Sequence, residues 1–560
     1  MAVLTRGAYA RPGTSLDFKT GNWRSGETPA HIHALAPCAG ACPAGEDQQA
    51  WFAHLQSGDI QAAWTELVQA NPLPAITGRV CPHPCETACN RAALDAPLAI
   101  HNVERWLGDE AIRQGWAYPV APPAADAPEV AIVGAGPAGL SAAYHCLRLG
   151  LRAVIHEAAP EAGGLLRSAI PQTRLPRDVL DAEVSRLLAL PGIRLHLRSR
   201  LGRDTSVGEL ARDHAAVLLA PGCAASKAWS IDGVVPADLH EGLNLLKEFV
   251  DHGQLPPARR VIVHGGGNTA MDLCRAMKRA GAEQVTLVSA SGLPGPDTDP
   301  SDVINVVPRE LEEALEEGIE ILDHTTINRL ILRGSRVTGV EVMSLRKMRG
   351  ADGHMHRVGF EGTERVLPAD MVIPCIGEEV APEGLAALVD HGYLRPGDAA
   401  GRLGADRTFA MGDARGDHGT VAAAIGDGLR AVRAVAADLA GTPEPAHDRE
   451  EIGADRLNLS YYDRSTRAQA PKRPVEARSF DTEIEGDIGR AAALAEAQRC
   501  LSCGNCLACD NCWTFCPDNA VIKTAELARD GSHYLFDLDY CKGCGLCAHE
   551  CPTGYIRMQS

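Results

Sequence analysis

Apolar and polar residues change rhythm along this chain, and the changes divide it into segments. From residue 129 to about 440, short apolar runs alternate with stretches of helical periodicity, which predicts an α/β architecture with parallel sheets. Glu129-Val130-Ala131-Ile132-Val133 and Leu151-Arg152-Ala153-Val154-Ile155-His156-Glu157 read as strands flanking a helix from Leu140 to about Leu149. Arg260-Val261-Ile262-Val263-His264 and Val285-Thr286-Leu287-Val288 repeat the arrangement about 130 residues later. Residues 29–118 are mostly helical in pattern, residues 1–24 are irregular, and the Pro-rich stretch 121–128 is a linker. Pro308–Gly318 predicts an amphipathic helix whose glutamates form a solvated face. Residues 441–490 are polar with few apolar runs, which predicts an extended connector before a tail from about 496 to 560.

Glycines mark the turns from strand to helix. In Gly134-Ala135-Gly136-Pro137-Ala138-Gly139, Gly134 makes the tight turn and Gly136 admits a pyrophosphate. Gly139 lets helix and strand pack closely, and the helix N-terminus faces the phosphates. Glu157, at the end of the next strand, stands where an acid binds ribose hydroxyls. Far downstream, Gly412-Asp413 at a strand end precedes Thr420-Val421 at the opening of a helix. That pair suits a flavin: Asp413 can take ribityl hydroxyls, and the helix N-terminus favours negative charge on the ring. The second unit has Gly265-Gly266-Gly267-Asn268-Thr269-Ala270, a GxGxxA variant. Its next strand ends in Ser289-Ala290-Ser291, with neither an acid for a 2′-hydroxyl nor an arginine for a 2′-phosphate. The choice between NAD(H) and NADP(H) therefore stays open, with a lean to NADH.

Fifteen of the nineteen cysteines crowd the two ends. Cys506-x2-Cys509-x2-Cys512-x3-Cys516-Pro517 and Cys541-x2-Cys544-x2-Cys547-x3-Cys551-Pro552 have the spacing that holds a pair of [4Fe–4S] clusters, the fourth cysteine of each run serving the other cluster. At the front stand Cys38-x3-Cys42 and Cys81-x3-Cys85-x3-Cys89. Cys146, Cys223, Cys274 and Cys375 occur singly and read as small core residues. The absence of a CxxC from the nucleotide domains argues against a disulfide reductase. His31, His33, His83 and His101 read as packed or solvated side chains.

A chain of 560 residues holds several domains, and its 45% hydrophobic and 22% charged content is ordinary for globular protein. The formal charge of −18 excludes a nucleic-acid partner. No apolar stretch approaches the roughly 20 residues of a membrane helix. With no apolar leader at Met1–Arg6, cluster-spaced thiols fit a reducing cytoplasm.

Gly78-Arg79-Val80-Cys81-Pro82 with Pro84-Cys85-Glu86, Gly163-Gly164-Leu165-Leu166-Arg167, Arg174-Leu175-Pro176 and Gly265–Asp272 resemble the small subunit of glutamate synthase. The same unit recurs in dihydropyrimidine dehydrogenase and electron-bifurcating transhydrogenases, and the similarity covers about residues 30–440. The tail resembles the ferredoxin-like subunit of 2-oxoacid:acceptor oxidoreductases. The fusion resembles the NAD(P)-linked subunit of anaerobic 2-oxoacid, arylglyoxylate or aldehyde oxidoreductases. Three departures stand out: Ser289-Ala290-Ser291 replaces a strand-end arginine pair, Ala220-Pro221-Gly222 replaces Ala-Thr-Gly, and nothing before Cys38 supplies the family's Arg-Cys-Leu-x-Cys-Gly.

The resemblance implies FAD at the first site, with Gly164 and Leu165 among its contacts, and a coenzyme domain inserted in the flavin domain. The domains expected are an N-terminal α-helical iron–sulfur domain (1–120), flavin-domain halves (129–253 and 359–440), two Rossmann-like folds being formed with the coenzyme domain (254–358), a linker (441–495) and a ferredoxin-like α+β domain (496–560). Arg499-Cys500-Leu501-Ser502-Cys503-Gly504 has the form of the missing cysteine pair, and Glu104 stands where relatives have a glutamine ligand. One ligand assignment then puts Cys42, Cys81, Cys85 and Glu104 on one cluster and Cys38, Cys89, Cys500 and Cys503 on a second. The tail would hold a third on Cys506, Cys509, Cys512 and Cys551 and a fourth on Cys541, Cys544, Cys547 and Cys516. The alternative is three clusters, with Cys500 and Cys503 as spares and Glu104 a surface acid. The implied activity is electron transfer between NAD(P)H and a partner oxidoreductase subunit or ferredoxin in a hetero-oligomer, through flavin and without catalytic acid–base residues. Its rivals are a glutamate synthase small subunit and a non-catalytic electron-transfer scaffold.

Overall fold

Two parallel sheets organise the centre of the computed structural model, which describes residues 4–5, 24–231, 233–236, 238–296, 298–350, 352–404, 407–416, 419–442, 449–525 and 532–560. The irregularity expected over 1–24 falls outside these residues apart from 4–5 and 24. The first sheet has five parallel strands in the spatial order Thr408–Ala410, Ala216–Leu219, Glu129–Val133, Arg152–Glu157, Ile193–Leu197. Its central strand is buried from Val130 to Val133, because helices cover both faces of such a sheet. The second sheet runs Glu320–Leu322, Gln284–Val288, Arg260–Gly265, Met371–Cys375, again all parallel.

The second unit is inserted in the first, and a two-residue antiparallel ladder, Ala225–Ser226 with Glu378–Glu379, lies where the chain leaves and returns. The boundary expected at 358/359 is too early. Met371–Cys375 hydrogen-bonds to Arg260–Gly265 and so belongs to the second unit. A short apolar strand serves either sheet equally well until its pairing is known. An antiparallel ribbon of Thr325–Arg333, Arg336–Arg349, Met355–Gly359 and Arg365–Pro368 packs Val337, Val340 and Val342 against Trp229 and Val372.

The N-terminal unit is helical, with its main helices at Gln48–Gln56, Ile60–Leu67, Pro74–Val80 and Ile100–Gln114. Trp51, Trp64 and Trp106 are buried in one core shared with Ile132, Leu140, Phe409 and Val432 of the first nucleotide unit. Each such side chain contributes about 1.5–3 kcal/mol on burial, so the two units are seated firmly on each other. Gly78 and Gly108 let the third and fourth helices touch: a Cβ on Gly78 would lie 2.4 Å from the Arg105 backbone nitrogen. That close approach sets Cys81 beside Glu104.

The described part of the connector is extended, with only short helical turns, as far as residue 488. The boundary expected at 495/496 cuts helix Gly489–Ala497, which packs on the N-terminal unit. The connector binds all the units it crosses. Arg467 pairs with Glu86, Glu483 bonds Arg79 and Arg105 (both 2.9 Å), and Arg478 reaches Glu317 at 2.9 Å. This corrects the solvated face expected for the glutamates at 308–318. Glu310 and Glu313 are buried, and Arg275 is bonded to Glu310, to Glu313 at 2.6 Å and to Glu317 at 2.9 Å. Arg174 of the first unit adds pairs to Asp272 (2.7 Å) and Glu310 (2.9 Å). Only Glu312 keeps a mostly exposed side chain, and it bonds Lys472 at 2.6 Å.

In the tail, Val521–Thr524 pairs antiparallel with Tyr534–Phe536 and with Leu4–Thr5. Thr28–His31 pairs antiparallel with Ile556–Gln559, which joins the two ends of the chain. Among the described residues no helix is long and apolar enough to cross a membrane.

Candidate functional site

The first Gly-rich loop is built by close contact. Gly134 has φ +102°, and a Cβ there would lie 2.2 Å from the Ala220 carbonyl oxygen; at Gly139 a Cβ would lie 2.0 Å from the Gly134 carbonyl oxygen. Helix Pro137–Arg148 begins at Gly136 with no side-chain cap, so its first N–H groups are left for an anion. Gly164 faces Gly136, and Leu165 opens the short helix that follows. The Glu157 carboxylate accepts from the Ala135 N–H (2.6 Å) and the Ala159 N–H (2.7 Å), which fixes it against the loop. Each oxygen retains a lone pair for a ribose hydroxyl.

The structure brings the distant Gly412-Asp413 to this loop. Gly412 packs on Ala138, and its N–H donates to Asp427 at 3.0 Å. The Cys223 thiol donates to the Asp413 carbonyl oxygen at 3.1 Å. Thr420 caps helix Val421–Ala440 through the Ala423 N–H, and Ser141 ties that helix to Pro137–Arg148 by donating to the Ile425 carbonyl oxygen at 2.7 Å. These close backbone approaches admit no side chain at the glycines and keep the strand–turn–helix as tight as a dinucleotide-binding turn needs.

The second loop is similar. A Cβ on Gly265 would lie 2.1 Å from the Cys375 carbonyl oxygen, and Gly267 caps helix Asn268–Arg279, with Thr269 in its first turn. Asn268 is held by the Val307 N–H, which donates to its side-chain oxygen at 3.0 Å.

The N-terminal cysteines fall into two groups. Short helices Pro37–Gly40 and Pro84–Thr87 pack together; each carries one cysteine, Cys38 or Cys85, and Cys42 and Cys89 follow just past their ends. Cys42, Cys81 and Cys85 feel one another's charge and that of Glu104. Cys38 feels Cys500, Cys89 and Cys503. Burial pushes the Cys42 thiol up to about 12, with Glu46 adding to it, and lifts Cys500 to about 12 and Cys503 to about 11. Asn90 donates to the Cys503 sulfur at 3.5 Å, which ties the tail to the front of the chain.

Glu104 is buried at 3% exposure and is not a surface acid. It accepts from the Thr77 hydroxyl, from Asn71 at 3.2 Å, and meets His83 Nε2 at 3.2 Å. Burial raises its carboxyl to about 7 against the pull of the Thr77 hydrogen bond. Burial, with His101 nearby, holds His83 well below its usual range, so its ring is neutral beside Glu104. Glu46 is a residue that motif reading missed. It is buried near Cys42 and Cys81, and Asn71 bridges it (2.8 Å) to Glu104. Its only sequence signal is a carboxylate four residues after Cys42.

The tail holds two small pockets open to solvent. One is lined by Cys506, Cys509, Cys512 and Cys551; the other by Cys516, Cys541, Cys544 and Cys547. Each run thus lends its fourth thiol to the other's pocket, and a four-thiol pocket has the donor set of a [4Fe–4S] cluster. Cys509 and Cys544 are exposed. Cys146, Cys223 and Cys274 are buried in the nucleotide units, and Cys375 packs at the edge of the second core.

Residues 128–428 match the pyridine nucleotide-disulphide oxidoreductase family. Residues 33–116 match the 4Fe-4S domain II of dihydropyrimidine dehydrogenase, and residues 505–555 match the 4Fe-4S dicluster domain. The chain is 32% identical over 518 residues to the NADP(+)-dependent formate dehydrogenase subunit beta of Moorella thermoacetica, covering 84% of this chain and 70% of that protein. It is 30% identical over 530 residues to the NADPH-Fe(3+) oxidoreductase subunit beta of Geobacter sulfurreducens (85% and 77%). It is also 30% identical over 424 residues to the glutamate synthase [NADPH] small chain of Escherichia coli (70% and 86%).

Proposed function

The chain belongs to the pyridine nucleotide-disulphide oxidoreductase family, and from that premise we propose that it is the coenzyme-linked electron-transfer subunit of a larger oxidoreductase. FAD, a nicotinamide coenzyme and several [4Fe–4S] clusters are its cofactors. Bound, they supply exchange of a hydride for single electrons and a one-electron relay, chemistry that asks no side chain to act as acid or base.

The chain's own residues hold and order these groups. Gly134, Gly136 and Gly139 seat the flavin's pyrophosphate at a helix N-terminus, Glu157 takes the ribose, and Asp413 and the Thr420–Val421 helix start serve the ribityl and ring end. Gly164 and Leu165 close the cradle. Gly265, Gly267, Asn268 and Thr269 seat the coenzyme phosphates. Cys42, Cys81, Cys85 and Glu104 hold the first cluster, and Cys38, Cys89, Cys500 and Cys503 the second. Cys506, Cys509, Cys512 and Cys551 hold the third, and Cys541, Cys544, Cys547 and Cys516 the fourth.

One contact carries the reading. The carbonyl oxygen of Pro43, next to Cys42, lies against Gly426 in the helix that begins beside the flavin cradle, so close that a Cβ there would be 1.9 Å away. The thiol groups therefore have an entry at the flavin helix and an exit at exposed Cys509 and Cys544. The partner is a catalytic oxidoreductase subunit or a ferredoxin, in a hetero-oligomer as the names of the subunit relatives imply. A 2-oxoacid, an aldehyde or formate fits as the partner's substrate.

The test is anaerobic mixing of the holoprotein with NADPH or NADH and a viologen. The expected result is bleaching of the flavin and reduction of the dye by at least one coenzyme; failure of both coenzymes overturns the proposal.

A further inference from the structure

Motif reading finds no cation at Ser289-Ala290-Ser291, yet the structure brings one there from elsewhere. Strands Arg336–Arg349 and Met355–Gly359 form a hairpin in which Lys347 and Arg357 are direct cross-strand partners. Partners in that register share a face, and carboxylates offset part of their mutual repulsion: Asp299 lies 3.9 Å from Lys347 and Asp302 2.6 Å from Arg357. Both side chains turn toward the open end of the second sheet. Arg357 Nη2 donates to the Ser291 hydroxyl oxygen at 2.9 Å and to Asp302 Oδ1 at 2.6 Å. Lys347 Nζ donates to the Ser301 hydroxyl oxygen at 2.6 Å.

This patch lies beside the coenzyme loop. The Ser289 side chain stands against Gly266, and the Asn305 N–H donates to the Gly266 carbonyl oxygen at 3.1 Å. In this kind of fold the residues just past the second strand meet the adenosine ribose: an acid there takes the 2′,3′-diol, and an arginine takes a 2′-phosphate. The nearby acid, Asp302, is turned inward. Its side chain is 5% exposed, held by Arg357 and by His324 at 3.3 Å. Arg357 is turned outward at 41% exposure. Among the described residues its bonds leave only from Nη2, so Nε and Nη1 can meet a phosphate as a fork.

We propose that Arg357, with the Ser291 hydroxyl and with Lys347 behind it, reads the 2′-phosphate, so that the coenzyme is NADP(H). This inference rests on the coenzyme reading of the second site and reverses the lean to NADH. Asp302 orients the guanidinium, and the hairpin supplies from another part of the chain the charge that the strand end lacks.

The test uses the holoprotein and two probes that carry no electrons, adenosine 2′,5′-bisphosphate and 5′-AMP, titrated calorimetrically. The bisphosphate is expected to bind at least about ten-fold more tightly, and Arg357→Ala to shrink that ratio by about 10- to 100-fold, with Arg357→Lys recovering part of it. The ratio of kcat/KM for NADPH over NADH in dye reduction should fall in step. A misfolded variant loses both ligands alike and leaves the ratio unchanged. Equal binding of the two probes by the unaltered protein, no binding of the bisphosphate, or an unchanged ratio in an Arg357→Ala protein that still binds 5′-AMP as the unaltered protein does overturns the inference. Because the probes need no electron transfer, a failure of the flavin to bleach counts against the proposed function and leaves this result readable.

Discussion

Replacing Cys500 and Cys503 together with alanine is expected to lower the iron content from about sixteen to about twelve per chain. The loss would come from a cluster whose other two thiols, Cys38 and Cys89, lie at the opposite end of the sequence. Two thiols cannot hold a four-iron cluster against solvent, and the thiols whose charge Cys38 feels are those of Cys500, Cys89 and Cys503. Burial keeps the thiols of Cys38, Cys500 and Cys503 above their ordinary range. They are therefore protonated at neutral pH before loading, so cluster assembly releases protons and is favoured as pH rises. The same double substitution should lower dye reduction relative to flavin bleaching by at least about ten-fold, because the relay is interrupted between the flavin and the tail. Iron that stays at about sixteen would place both cysteines outside any cluster.

Gly139→Val is expected to give a protein purified without flavin. The first Cβ atom alone would lie 2.0 Å from the Gly134 carbonyl oxygen and 3.3 Å from Ile132 Cγ2. Neither neighbour can yield. Gly134 is fixed in its turn by Ala220, and Ile132 belongs to the central strand of the sheet. The two further methyl groups of valine enlarge the clash, and overpacking of this kind costs about 1–3 kcal/mol or more, enough to push the helix start away from the phosphate position. The readouts are bound flavin per chain, expected to fall at least about ten-fold, and the melting temperature, expected to drop by several degrees. Gly208→Ala serves as the comparison, since a Cβ there meets nothing within 4 Å and the position lies in helix Val207–Asp213. It should keep flavin and gain stability slightly. Full flavin in Gly139→Val would show that this loop is not the dinucleotide cradle.

The contrast between these sites explains what could be read from the chain before its fold was known. The glycines at 134–139 and 265–267 and the tail cysteines carry their chemistry in local spacing, because the ligand is gripped by one turn of backbone or by neighbouring thiols. The Cys500/Cys503 pair emerges by resemblance, because its placement depends on contacts between the two ends of the chain. Glu104 does too, because it comes beside Cys81 only when helices Pro74–Val80 and Ile100–Gln114 pack together. Arg357 and Glu46 have no local signature: one acts from a hairpin far from Ser291, and the other is an ordinary glutamate until burial puts it beside Cys42. The glutamates at 310 and 313 mislead for a related reason. A charged helix face reads as solvated unless one knows that Arg174, Arg275 and the connector cover it. The strand at 371–375 is legible as a strand but not as a member of the second sheet, since pairing is a long-range choice.

Whether both Cys-rich ends join into one relay is tested most directly by the iron and acid-labile sulfide content of anaerobically purified holoprotein, counted against flavin. About sixteen of each per flavin is the expected result, four clusters on fifteen cysteines and Glu104. About twelve of each would contradict it, leaving Cys500 and Cys503 unused and the two ends joined by packing alone.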